Sequence, residues 1–475
     1  MANYKTPGVY IQDIASGSQS IEQASSSVGL LIGVTRNGLI NVAQKIGSWT
    51  EFISKYASGL DTPFLENSYL PYAVHGFFTN GGKELYIGSV KKNAVKATKT
   101  GTKNAITVTA SSEGAWGNDI KVAIAQNRDY SDNYKAFDVT ISVGSNDSVV
   151  ISEVTLDNIA TTVMANTKAK QWIEEFTLGE GISELSVEEI TLTGGTDGDS
   201  LTDTDYEKAL TMIDVLDDVT FVAIPGQTSS TVNDAILTYC NNHGLFPIID
   251  MPVGSTAEAT RTYRKKLNAW TGALCYPWGK VSDPLTNTLK AVPSAGHTMG
   301  VYARIVESRG VHKAPAGTEA TVQGFIEMEC QLTSEELGTL NTAGVVCIIS
   351  KPNAGIVIWG ARSLNSSDSR MKYVTDGLIN LNIKKSIYNS TEFAVFEPND
   401  EGLWSHLRTI CKSFLEDLRT SGTLKGTAKE AYYVTIDGTN NTEDSIANGE
   451  LNIEIGYAPV KPAEFVIIKL AHSMN

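Results

Sequence analysis

Few residues in this chain have the types and spacing of a working chemical site. A phosphate-cradling loop needs GxxxxGK[ST], so that backbone amides wrap the phosphates and a lysine reaches them. Gly76 and Gly81 have the spacing, but Gly82 stands where the lysine belongs. The GxGxxG fingerprint and the GxSxG nucleophile elbow are absent, and the six histidines form no HExxH pair. Asp197, Asp199, Asp203 and Asp205 suggest a calcium loop. Counting from Asp197, however, Thr202 and Lys208 fall where such a loop needs its glycine and its bidentate glutamate. The four carboxylates read instead as a turn followed by the acidic first turn of a helix, which the helix dipole favours. Trp270, Trp278 and Trp359 lie near glycines and could line a pocket, but core packing explains them more simply. Ser, His and Asp occur without a local triad signature. The expectation is a protein with no catalytic residues, no cofactor and no metal.

Charge narrows the partners. Lys and Arg number 38 against 53 Asp and Glu in 475 residues, a formal charge of −15. Such a surface repels phosphate backbones, so no nucleic-acid role is expected. Cys240, Cys275, Cys330, Cys347 and Cys411 are widely spaced with no CxxC and read as reduced, mostly buried thiols. The opening MANYKTPGVYIQDI lacks the apolar stretch of a secretory signal. No apolar run approaches the roughly 20 residues that span a bilayer, so membrane insertion is not expected. A protein of this kind would leave a cell by lysis or within a particle.

The elements fall into five stretches. Residues 1–25 read as an extended arm, in which Pro7 and Gly8 open a short strand through Val9, Tyr10 and Ile11 ahead of a flexible Ser-rich hinge. Residues 26–95 form a small α/β segment. Residues 96–195 are β-rich, with one helix expected over 161–176, and read as an insertion. Residues 196–360 alternate strand, helix, strand at about 25-residue spacing, and the apolar runs are continuous, as in parallel strands covered on both faces. Residues 361–475 are α+β, with helices over 370–388 and 403–420 and strands over 392–396, 431–437 and 451–456. A last strand over 464–470 contains Phe465, Val466, Ile467 and Ile468.

The helix over 403–420 is two-faced. With Arg408 at 0°, Lys412 and Arg419 fall at about 40° and 20°, whereas Leu407, Ile410, Cys411, Phe414 and Leu418 fall between about 200° and 300°. An apolar face therefore backs a narrow basic stripe, notable on an acidic protein.

Several segments, in order, resemble the contractile tail sheath proteins. They are Pro7 to Ile11 (PGVYI), Asn80 to Tyr86 (NGGKELY), Gly300 to Pro315 (GVYARIVESRGVHKAP), Trp359 to Leu364 (WGARSL), Phe393 to Asp400 (FAVFEPND) with Leu403 and Trp404, and Ala458 to Val466 (APVKPAEFV). His312 departs from the aromatic expected there, and 96–195 carries little resemblance. The resemblance implies a multidomain α/β and α+β chain with a central parallel sheet of subtilisin-like topology. It also implies a β-rich outer insertion, and that 26–95 packs with the C-terminal domain. Copies would stack as rings around an inner tube, with baseplate and tail-terminator proteins at the ends, in a virion tail or tail-like particle assembled in the bacterial cytoplasm. Both terminal strands (Pro7, Gly8, Val9, Tyr10, Ile11; Phe465, Val466, Ile467, Ile468) would be donated to neighbouring subunits. Arg408, Lys412 and Arg419 would face the tube. The alternative is a hydrolase built on a subtilisin-like sheet.

Overall fold

The computed structural model describes residues 20–129, 131, 135–268, 271–465 and 467. The chain divides into two compact units. The larger runs from Ser25 to Asn382 and takes in the segment from Lys461 onward, while the smaller comprises Ile383–Val460 and the chain up to Ala24.

The larger unit is built on an eight-stranded mixed sheet. Its order is Gly355–Ile358, Val345–Lys351, Ala273–Tyr276, Phe246–Asp250, Phe221–Ala223, Gly29–Gly33, Leu85–Ser89, Ala43–Ile46. The six inner strands are parallel, with Leu30 opposite both Val222 and Tyr86, and Cys275 opposite Val346. The two edge strands run antiparallel. Gly29–Gly33, Phe246–Asp250 and Ala273–Tyr276 are buried along their whole length, because helices cover both faces. The segment 26–95 supplies three strands of this sheet. Its apolar runs complete a parallel array that 196–360 alone would leave with a bare edge.

On one face, Leu30, Ile32, Val222, Leu274 and Val345 join Ile236, Leu237, Cys240 and Leu340 in a single core. These come from the helices Ser230–His243 and Ser334–Thr342 as well as from the sheet. The latter helix begins with the Thr333/Glu336 capping box. On the other face the helices Leu70–Thr79 and Ala295–Arg309 pack on each other. Their backbones meet through glycines: a Cβ on Gly296 would stand 2.5 Å from Ala73 Cα, and one on Gly300 would stand 2.4 Å from the Phe77 carbonyl. Ala295–Arg309 is buried nearly all round, and its small residues carry no amphipathic stripe.

The β-rich insertion has its own core, with strands between Thr98 and Thr191 forming a four-stranded and a three-stranded sheet around Trp116, Phe137, Trp172 and Phe176. The single helix expected over 161–176 is instead two short helices, Ile159–Ala165 and Ala169–Trp172, followed by the strand Ile173–Leu178. The Asn166 side chain accepts from the Lys168 and Ala169 amides, which ends one helix and starts the next.

In the smaller unit the helix Glu401–Thr420 is capped by Asp400 and buries Trp404, Leu407, Ile410, Cys411, Phe414, Leu415 and Leu418, the predicted apolar face with two additions. It lies against the strand Tyr432–Thr435, which pairs with Glu454–Tyr457. The strand expected over 392–396 is a 3₁₀ turn, Glu392–Ala394. Val395 and Phe396 are exposed, and Phe396 has φ 70°. An apolar run that buries nothing has no sheet to join.

Candidate assembly surfaces

The C-terminal segment is held firmly as far as Glu464. Lys461 pairs with the buried Asp376 carboxylate at 2.7 Å, and its ammonium also donates to the Ser369 and Arg370 carbonyls. Three residues on, Glu464 receives the Arg362 guanidinium in a fork, Nε at 2.7 Å and Nη2 at 2.8 Å. Asn341 Nδ2 and the Tyr373 hydroxyl donate to the same carboxylate, and the Lys372 ammonium lies 3.8 Å away. Burial opposes ionisation of Glu464, but the Arg362 and Asn341 hydrogen bonds outweigh it and hold the carboxyl below the usual glutamate range. Beyond this anchor the apolar side chains turn to solvent: Phe465 is 72% exposed and Ile467 80%. In any β-strand, residues two apart share one face. Val466, Ile468 and the whole Pro7 to Ile11 segment lie outside the described residues.

The smaller unit contains one small sheet. Its Tyr432–Thr435/Glu454–Tyr457 sheet has only two strands, so each has an outer edge with no strand paired among the described residues. Two-stranded sheets are marginal by themselves and open edges recruit further strands.

The basic stripe is less uniform than its spacing implies. Arg408 donates from Nη2 to the Ile436 carbonyl. Arg419 makes a bidentate pair with Glu416 three residues back, at 2.9 and 2.6 Å, and Tyr432 donates to the same carboxylate. Lys412 is exposed and has no ion-pair partner among the described residues. Of the three predicted cations, only Arg419 has its charge paired, whereas Arg408 and Lys412 have no ion-pair partner among the described residues.

The Ser-rich stretch predicted to hinge is hydrogen-bonded where it is described. The Glu22 and Ala24 amides donate to Ser390 and Ser386, and Ser26 accepts from Asn382. The four aspartates have separate partners: Asp197 takes Lys91, Asp199 takes Asn93, Asp203 takes Ser229, and Asp205 takes both Lys92 and the Thr202 cap. Among the described residues no group of three metal-ligating side chains converges. Trp278 is buried, with its indole N–H donating to the Met251 carbonyl, whereas Trp359 is exposed beneath the Lys351 ammonium. Trp270 lies outside the described residues. The described part of the chain holds no helix long and apolar enough to cross a membrane, and the five thiols are free.

Sequence reasoning missed three features. Asp250 is buried at the end of a central strand. Burial pushes its pKa up to about 7, against backbone N–H donors from Ala295, Gly226 and Ser294. His297 is buried against Phe325 and its pKa is pushed down to about 3. The hydrolase alternative would need such groups joined to a nucleophile, and the hydrogen bonds of Asp250 go to backbone amides. The third feature is the Arg362–Glu464 clamp. Its only sequence signal was that WGARSL and APVKPAEFV, about 100 residues apart, each contain one partner.

The comparisons with known proteins agree on one family. The family model for the phage tail sheath protein central domain matches residues 199–364, and that for the phage tail sheath C-terminal domain matches 366–471, together more than half of the chain. The chain is 26% identical over 243 residues to the tail sheath protein of Burkholderia phage BcepMu, covering 46% of this chain and 48% of that one. It is 23% identical over 195 residues to the tail sheath protein of Salmonella phage ViI, covering 41% and 30%. The match therefore spans half or less of the length of these relatives. In fold, the chain is similar to the PVC sheath complex of an extracellular contractile injection system in its contracted state, with TM-score 0.64, 21% identity, and coverage of 100% of this chain and 99% of that one.

Proposed function

The chain belongs to the phage tail sheath family, and from that premise we propose that it is the structural subunit of a contractile sheath. Its copies polymerise around an inner tube and contract to drive that tube through a target cell envelope. The observation that carries this reading is the pair of adjoining matches, central domain then C-terminal domain, in family order. The protein works by assembly and not by catalysis. The eight-stranded sheet corresponds to the family's subtilisin-like domain, and the strands between Thr98 and Thr191 to its variable outer part.

Assembly rests on strand donation. The terminal strands, Pro7 to Ile11 and Phe465 to Ile468, add to the open edges of the Tyr432–Thr435/Glu454–Tyr457 sheet in neighbouring copies, where main-chain hydrogen bonds supply affinity and alternate side chains supply register. A head-to-tail contact that does not close on itself propagates as a helix. The exposed Phe465 and Ile467 beside the anchored Glu464 support this. The helix Glu401–Thr420 faces the tube, with Arg408 and Lys412 as the charges that have no ion-pair partner among the described residues. Exposed pairs are worth only about 0.2–1 kcal/mol each, so the grip comes from repetition along the tube and releases during contraction. Baseplate and terminator proteins bound the polymer in a virion tail or tail-like particle, which forms in the host cytoplasm and leaves by lysis.

The test is negative-stain electron microscopy of the purified protein at rising concentration, alone and with its tube protein. Stacked rings or hollow tubes are expected. Dispersed particles under both conditions would refute the reading.

A further inference from the structure

A dense polar cluster in the larger unit sits near the end of the described chain. It converges on one carboxylate, Glu464, and its donors come from three separate places. Asn341 lies in the helix Ser334–Thr342, Arg362 follows the edge strand Gly355–Ile358, and Lys372 and Tyr373 immediately precede the helix Val374–Thr391. The Arg362 and Glu464 side chains are only 12% and 17% exposed. Three residues earlier, Lys461 is held independently by Asp376. The very next side chain, Phe465, stands in solvent. A charged, multidentate contact is therefore followed at once by apolar exposure.

We propose that Arg362, with Asn341 and Tyr373, is a latch on Glu464 that fixes where the C-terminal strand leaves the subunit, and hence the tether length and register with which it meets a neighbouring copy. These are positioning residues, and the inference rests on the strand-donation reading above. The geometry says why a latch matters. If Glu464 is released, the next fixed point is Lys461, and the tether lengthens by three residues, roughly 10 Å at about 3.3 Å each. A longer, looser tether lowers the effective concentration of the strand at its acceptor. A one-residue slip also turns the Phe465/Ile467 face to the opposite side of the sheet. A fork of two parallel N–H···O bonds fixes direction as well as distance, which a lysine in place of Arg362 would not.

The test uses the full chain and reads the concentration at which tubes or rings appear by electron microscopy and sedimentation, with thermal unfolding measured in parallel. Glu464→Ala and Arg362→Lys should raise that concentration about tenfold; Arg362→Lys, which keeps a cation beside Glu464, should do so with the unfolding midpoint of the larger unit near wild type, whereas Glu464→Ala also lowers it by leaving Arg362 unpaired. The exchanged pair, Arg362→Glu with Glu464→Arg, should recover part of the loss. A variant that leaves the latch intact but inserts Gly-Ser-Gly between Glu464 and Phe465 should reproduce the assembly defect. It keeps the test decisive if the latch variants fold poorly. Removal of 465–475 is the control for the reading beneath. If that removal abolishes assembly while Glu464→Ala and the insertion assemble at the wild-type concentration, the latch is overturned and strand donation stands. If the removal has no effect, strand donation by this end fails and the latch fails with it.

Discussion

Asp250 offers a measurement whose sign follows from burial alone. The residue is 1% exposed, and its pKa is pushed up from 3.8 to about 7 because burial penalises the charged form by more than the Ala295, Gly226 and Ser294 amides recover. Between those two values the folded protein holds a proton that the unfolded chain has given up. The contribution of this group to stability is therefore fully present below the unfolded pKa and is lost as pH rises through the folded one. A shift of about three units corresponds to about 4 kcal/mol in all, at about 1.4 kcal/mol per unit. Asp250→Asn removes the titration while keeping a carbonyl oxygen to accept from Ala295. Urea denaturation at pH 4.5, 5.5, 6.5 and 7.5, followed by tryptophan fluorescence, reads it out, since Trp278 is buried and donates to the neighbouring Met251 carbonyl. The quantity of interest is the difference between variant and wild type, which cancels the other titrating groups. That difference should move in favour of the Asp250→Asn variant by about 3–4 kcal/mol across the range. A difference that stays constant with pH would refute the argument and place the ionised carboxylate in a far more polar setting than its neighbours provide.

Two further outcomes are expected. Gly300→Ala forces a methyl to within 2.4 Å of the Phe77 carbonyl, so the helices Leu70–Thr79 and Ala295–Arg309 must part; overpacking of this kind costs about 1–3 kcal/mol, and a lowered midpoint in thermal unfolding is the check. Lys412→Glu should weaken co-assembly with the tube protein more than Arg419→Gln does, because the charge of Arg419 is already neutralised by Glu416; sedimentation with purified tube protein at low and high salt ranks them, and equal effects would argue against the stripe as the tube contact.

Legibility in the sequence followed the physics of each element. The inner strands stood out because Leu30 to Ile32, Phe246 to Asp250 and Ala273 to Tyr276 are continuous apolar runs, as strands covered on both faces require. The amphipathic helix Glu401–Thr420 stood out for the opposite reason, one buried face and one wet one. Ala295–Arg309 did not, because its contacts depend on glycine and alanine allowing close approach and no periodic stripe marks that. Phe393 to Phe396 misled because an apolar run is the same letter string whether or not a sheet edge stands beside it. The clamp on Glu464 was invisible for a related reason: its donors lie 91 to 123 positions away, and charge partners at that separation leave no local trace.

The inbound and outbound connections of the β-rich insertion lie side by side. Lys92 bridges to Asp199, Val95 to Thr196 and Thr98 to Thr193, with Val95 and Thr196 exchanging both backbone hydrogen bonds. The two chain ends are not the whole junction: the buried Trp172 indole N–H donates to Ser58 Oγ, Ser58 donates to Gln171, and Leu60 packs against the insertion's core. An exchanged or shortened domain would therefore have to supply new partners for Ser58 and Leu60 as well as ends at strand spacing. The paired ends mark where an engineer could graft a foreign cargo, between Thr98 and Thr193, provided that Ser58 and Leu60, which face the present domain, are made polar or covered.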